Sequence, residues 1–158
     1  MKIYMFLLGF ILLLLSACSS EEKQLEPIAY EFKEPTTFPF EVNEAFSEID
    51  LEVPDHLHQF IYYYRNTETS QELKYILSKV LDEEQPSELE DIVKDMSEYK
   101  LDNGITVYYG ENDTAQELWW EQDGFMARFI YFIKGNTDQL GEYKLEVEEF
   151  LKLANQVQ

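Results

Sequence analysis

A chain of 158 residues has room for one ordinary domain with a core of its own. It carries 32 acidic residues against 12 basic ones, a formal net charge of −20, which argues against nucleic acid and against electrostatic adhesion to anionic lipid headgroups or wall polymers. A single cysteine excludes an internal disulfide framework.

Residues 1–17 read as a secretory signal: Lys2 gives a cationic start, Ile3 to Leu15 is apolar, and small residues precede a cut. The run is short of the roughly 20 apolar residues that cross a bilayer. Leu15-Ser16-Ala17-Cys18 resembles the lipobox of bacterial lipoproteins. That resemblance implies cleavage between Ala17 and Cys18, thioether lipidation of Cys18 and acylation of the new amino terminus with a palmitate-like chain. At about 0.8 kcal/mol per buried methylene, two or three acyl chains hold a protein far more firmly than one. The expected location is therefore the extracytoplasmic side of the cell membrane, with the bilayer as a partner through acylated Cys18. Losing residues 1–17 removes Lys2 and no acid, which leaves a charge of about −21.

Residues 18–27 hold the lipidated cysteine and a small, polar, aperiodic linker, and residues 28–158 form a single domain. Pro35, Pro39 and Pro54 forbid one long helix through its first part. Ile49, Leu51 and Val53 alternate with Glu48, Asp50 and Glu52, the pattern of a half-buried strand. "QFIYYYRN" (59–66) is aromatic and β-branched, as strands prefer, and ends in the polar turn "NTETSQ". The next run is ambiguous. Leu73, Ile76, Leu77, Val80 and Leu81 fit a helical stripe behind a capping-box spacing at Thr69 and Glu72, yet the run also reads as the returning arm of a hairpin.

"SELEDIVKDM" (87–96) predicts a short amphipathic helix with Leu89, Ile92, Val93 and Met96 on one face and Ser87/Glu90 as its capping box. Two hairpins follow: "DNG" joins 99–101 to 105–109, and "QDG" joins 117–121 to 125–134, each supplying the positive φ that a tight turn requires. The last stretch places Val147, Phe150, Leu151, Ala154 and Val157 on one face of a closing helix. Runs of strands followed by a helix indicate an α+β fold.

"YKLDNGITVYYGEN", "ELWWEQDGFMARFIY" and "YKLEVEEFLKLANQV" together resemble a domain of unknown function found in extracellular lipoproteins and membrane-anchored proteins of spore-forming Gram-positive bacteria, over roughly residues 45–157. The resemblance implies a curved antiparallel β-sheet of about five to seven hairpin-connected strands, with a short middle helix and a C-terminal helix packed on it. It favours strand over helix for 72–81 and brings no activity. The family's usual Ser-Lys-Glu-Glu-type helix start is replaced here by "YKLEVEE".

Chemistry is sparse. Asp55-His56-Leu57-His58 places two imidazoles on one side of an extended chain, but no third ligand stands at a useful spacing, so no metal site is expected. There is no Gly-x-Ser-x-Gly elbow, no His-Glu-x-x-His and no phosphate-cradling glycine loop. Carboxylate pairs such as Glu83/Glu84 and Glu90/Asp91 carry little information among 32 acids. No catalytic residue and no cofactor is therefore expected. Consecutive aromatics demand more, because neighbours on a strand point to opposite faces. With both sides apolar, the sheet should be covered on both, by the closing helix on one and by the middle helix with the proline-rich segment on the other. Otherwise one side, drawing on Tyr62, Tyr64, Tyr108, Trp119 and Trp120, is a ligand face. The function expected is a non-enzymatic binding or scaffolding module for an unknown envelope protein. The alternative is a carrier or sensor of an apolar ligand, an acyl chain or a peptide, and the third reading is a hydrolase.

Overall fold

A computed structural model describes residues 30–53, 57–81 and 89–158, with the backbone alone for 50–53. The signal, the Ala17–Cys18 cut and the 18–27 linker lie outside them. The compact unit carrying the sheet is Phe32–Gln158. Among the described residues it holds seven strands: β1 (Glu44–Val53), β2 (Leu57–Asn66), β3 (Gln71–Val80), β4 (Ser97–Lys100), β5 (Thr106–Glu111), β6 (Ala115–Gln122) and β7 (Phe125–Ile133). Helix α1 (Leu89–Ile92) follows β3, and α2 (Val147–Gln156) closes the chain. The strands form one sheet in the order β1-β2-β3-β7-β6-β5-β4, every neighbour antiparallel. The expected α+β fold is the observed one.

Turn chemistry explains the hairpins. Asp123 and Gly124, at φ 52° and 76°, are the two-residue loop between β6 and β7, whose flanks Gln122 and Phe125 pair directly. Between β4 and β5, Gly104 sits at φ 89° and the Asn103 side chain accepts from the Ile105 amide at 3.0 Å. In the β2–β3 turn the Asn66 carboxamide oxygen accepts from the Glu68 and Thr69 amides. Here the helical stripe loses: 71–80 is strand, with Leu73, Tyr75 and Leu77 buried on one side and Ile76 on the other.

One side of the sheet, the helix face, receives α2. Glu146 caps that helix, accepting from the Glu149 amide while its own amide donates to the Glu149 carboxylate at 3.0 Å. The acid side chains of "EVEE" thus take over the start, where negative charge suits the helix dipole. Phe150, Leu153, Ala154 and Val157 are the buried positions, whereas Val147 and Leu151 of the expected stripe are half-buried. The stripe is rotated toward Leu153, which the sequence reading had left out.

The proline-rich segment also packs on the helix face, contrary to expectation. Phe32 meets Phe60 and Phe125, each at 5.1 Å between ring centres; Phe38 lies 4.7 Å from Tyr64, and Phe40 lies 5.6 Å from Tyr131. The physical reason is polar as well as apolar: the Thr36 and Thr37 amides both donate to the Gln156 carboxamide oxygen at 2.9 Å, tying the segment beside α2. Helix α1 ends at Ile92 instead of running on to Met96, with the expected Ser87 cap outside the described residues, and it lies on the opposite face, where Leu89 and Val93 pack with Trp119 beside Met96, Tyr108 and Met126. Ile92 is exposed rather than inside. Ile49 likewise stands 66 % exposed, because β1 is an edge strand with a neighbour on one side only among the described residues.

Candidate functional site: the two faces of the sheet

Strand register sorts the aromatic residues. Tyr62 pairs with Tyr75, Tyr75 with Phe129, and Trp120 with Ala127, which puts Tyr62, Tyr64, Tyr75, Trp120 and Phe129 on the helix face. Tyr108 pairs with Trp119, and both fall on the second face. The five residues expected to line one ligand face are therefore divided, three on the helix face and two on the other. Sequence adjacency guaranteed that division for Trp119 and Trp120.

The helix face is filled by its own side chains. Tyr75 stacks on Trp120 with centres 6.1 Å apart and planes 10° from parallel, and both rings lie within 5.3 Å of Phe129. Trp120, Phe129, Tyr131 and Phe150 are completely buried. Burial drives the phenols of Tyr64, Tyr75 and Tyr131 upward from the usual tyrosine value, and the Glu34 carboxylate, which accepts from the Tyr64 hydroxyl at 2.7 Å, adds to the effect on Tyr64.

A polar staple escaped the sequence reading altogether. Gln116, wholly buried on the helix face, donates to the Tyr109 hydroxyl (2.5 Å) and to the Leu145 carbonyl (2.8 Å), and its oxygen accepts from the Leu145 amide (2.9 Å). Tyr109 in turn donates to Glu111 at 2.6 Å, and Lys144 donates to the same carboxylate at 2.7 Å. Those bonds from Lys144 and Tyr109 lower the Glu111 acid below its ordinary range. The group holds the chain just before α2 on the sheet. No motif announces it, since a lone Gln in a strand gives no signal by spacing.

The second face is built differently. Phe46 stacks on Tyr63 (4.5 Å, 11°), and the Arg65 guanidinium lies 4.7 Å and 5.2 Å from their ring centres. Lys74 sits 5.0 Å from Tyr63 and 5.2 Å from Phe132, and Arg128 lies 4.5 Å over Trp119. Each cation also has an acid. Arg65 donates to Glu72 at 2.5 Å and reaches Glu44 at 3.5 Å, Lys74 lies 3.7 Å from Glu72, and Arg128 lies 2.9 Å from Glu117, which accepts from Trp119 Nε1 at 2.8 Å. Half-buried Ile61, Ile76 and Ile130 lie among these groups. The result is a charge-compensated aromatic and aliphatic surface rather than an anion trap, suited chemically to another protein surface or an apolar chain. Period-two alternation in "FIYYYRN" placed Ile61, Tyr63 and Arg65 together and could have signalled it.

His58 is buried on the helix face opposite Lys79, while His56, Asp55, Glu83 and Glu84 lie outside the described residues. Glu90 and Asp91 are neighbours in the first turn of α1 and point to solvent. Among the described residues no group of three His, Cys, Asp or Glu is placed to hold a metal ion, and no helix is long and apolar enough to cross a membrane. The chain matches no family model, no curated protein and no solved structure.

Proposed function

We propose that the chain is an extracytoplasmic lipoprotein, held on the membrane through acylated Cys18, whose domain acts without catalysis as a binding or scaffolding module of the cell envelope. The observation that carries the anchor is Leu15-Ser16-Ala17-Cys18 directly after an apolar run and before a polar one. For the binding role, support comes from the second face, where Ile61, Ile76 and Ile130 are left half-buried among self-compensated charges. A surface of that kind desolvates without stranding a lone charge. The runner-up, a carrier of an acyl chain or peptide, draws on the same three isoleucines, because the helix-face aromatics are occupied by one another. Growth with labelled palmitate tests the anchor: the wild-type chain should take up label and begin at a modified Cys18, and Cys18→Ser should do neither. A mature product cut elsewhere, or bearing a free thiol, overturns the proposal.

A further inference from the structure

Strand β1 is the longer of the two edge strands, with a neighbour on one side only among the described residues. Its side chains from Glu44 to Ile49 are all exposed, Phe46 by 37 % and Ile49 by 66 %. The outward backbone N–H and C=O groups of such a strand form a template for one more strand. At the other edge, β4 is only Ser97–Lys100 and carries a lysine, two devices that blunt an edge. β1 has neither. It pairs with β2 without interruption from Glu44 to Asp50, about 20 Å of regular edge, before the register shifts between Asp50 and Val53, and no Pro or Lys stands in it.

Charge narrows what can lie along that edge. β1 carries Glu44, Glu48, Asp50 and Glu52 and no base. Glu44 and Glu48 flank Phe46 on the second face, where Arg65 reaches Glu44 at 3.5 Å and the Tyr63 hydroxyl donates to Glu48 at 3.0 Å, and each carboxylate keeps acceptor capacity for a further donor. A second copy is a poor match, because two-fold pairing centred on Phe46 sets Glu44 against Glu48. The chain's own segments outside the described residues match no better: 18–29 holds Glu21, Glu22 and Glu26 against Lys23, and 82–88 holds Asp82, Glu83, Glu84 and Glu88 with no base. Building on the binding-module reading above, we infer that the β1 edge takes an extended basic segment of another protein as an added strand of the sheet. The pleat sets its pattern: Lys or Arg opposite Glu44 and Glu48, an apolar residue between them opposite Phe46, and a β-branched residue on the other face against Ile49. Main-chain hydrogen bonds supply the hold, and the two cations supply the selectivity.

The full lipidated protein in phosphatidylcholine nanodiscs is mixed with the peptide Val-Lys-Thr-Ile-Val-Lys, and hydrogen exchange of the β1 amides is followed beside the NMR methyl signals of Ile61, Ile76 and Ile130. Amides within 44–49 should gain several-fold protection, and the gain should shrink with added salt and in the Glu44→Gln/Glu48→Gln double variant. The same peptide with Glu in place of Lys, or with its backbone nitrogens methylated, should give none. Shifted isoleucine methyls with β1 exchange unchanged overturn the inference and leave standing a binding module that uses the second face. A peptide that moves neither set of signals overturns the inference and removes support from that module as well. β1 amides already protected before peptide is added, in a dimer or in a monomer, mean that a second copy or the chain's own residues hold the edge, and they overturn the inference too.

Discussion

The two faces of one sheet solve the same problem in opposite ways. On the helix face, rings pack against rings and are sealed by α2 and the Phe32–Phe40 segment, until Trp120 and Tyr131 retain no exposed area. On the second face the charged ends of Lys74 and Arg128 lie over the rings of Tyr63, Phe132 and Trp119, with Leu89 and Val93 packed beside Trp119. Arg65 and Lys74 thus act as a thin roof where the other face has a helix.

The paired tryptophans sharpen this contrast most. Trp120→Ala removes a fully buried ring from the stack with Tyr75 and should cost roughly 3–5 kcal/mol in denaturant unfolding. Trp119→Ala, which strips a ring capped by Arg128, should cost less by at least about 1 kcal/mol. Equal losses would mean that the two faces are equally solid, and the distinction between core and roof would fail.

Next in size is the staple. Gln116→Leu keeps roughly the volume but leaves the Leu145 amide and carbonyl without their buried partner, at a cost of about 2–4 kcal/mol. A change below about 1 kcal/mol would show that the chain before α2 is held by its apolar contacts alone.

The smallest effect is electrostatic and lies at the margin of the helix face. The Glu111 acid is lowered by Lys144 and Tyr109, so its contribution is present above the unfolded carboxylate value of about 4.3 and fades as pH falls through the lower folded value. The stability gap between wild type and Glu111→Gln should therefore narrow below about pH 4 and stay level from pH 5 to 7. A gap that widens in acid would contradict the assignment. With Glu111 and Lys144 both substantially exposed, screening keeps the gap small.

What could be read from the sequence was local. "DNG" and "QDG" declare their turns because positive φ restricts the residues that serve, and the closing helix shows in its period even though the stripe was set one position off Leu153. The 72–81 run could not be decided locally, since Leu73, Ile76 and Leu77 satisfy both periods. Only pairing with β2 on one side and β7 on the other makes it a strand. The central β3–β7 pairing, the placement of Phe32–Phe40 beside α2 and the Gln116 staple all join distant parts of the chain. A window of a dozen residues contains none of the information that specifies them. Adjacent Trp119 and Trp120 must fall on opposite faces, yet the division of the five candidate aromatics between the two, and the layer of Arg65, Lys74 and Arg128 over one of them, depend on strand register that no local pattern carries.

The bonds from Thr36 and Thr37 to Gln156 carry a consequence for the order of events in folding. These residues stand 120 and 119 positions before their acceptor, so the first segment of the domain is hydrogen-bonded to the last residue of α2. A polypeptide emerging residue by residue therefore holds the Thr36–Thr37 segment without its partner in α2 until Gln156 has been made. High contact order of this kind belongs to domains that fold in milliseconds to seconds rather than microseconds. Throughout that interval the acid-rich composition, of little use as a binding signal, keeps neighbouring unfinished chains apart by mutual repulsion.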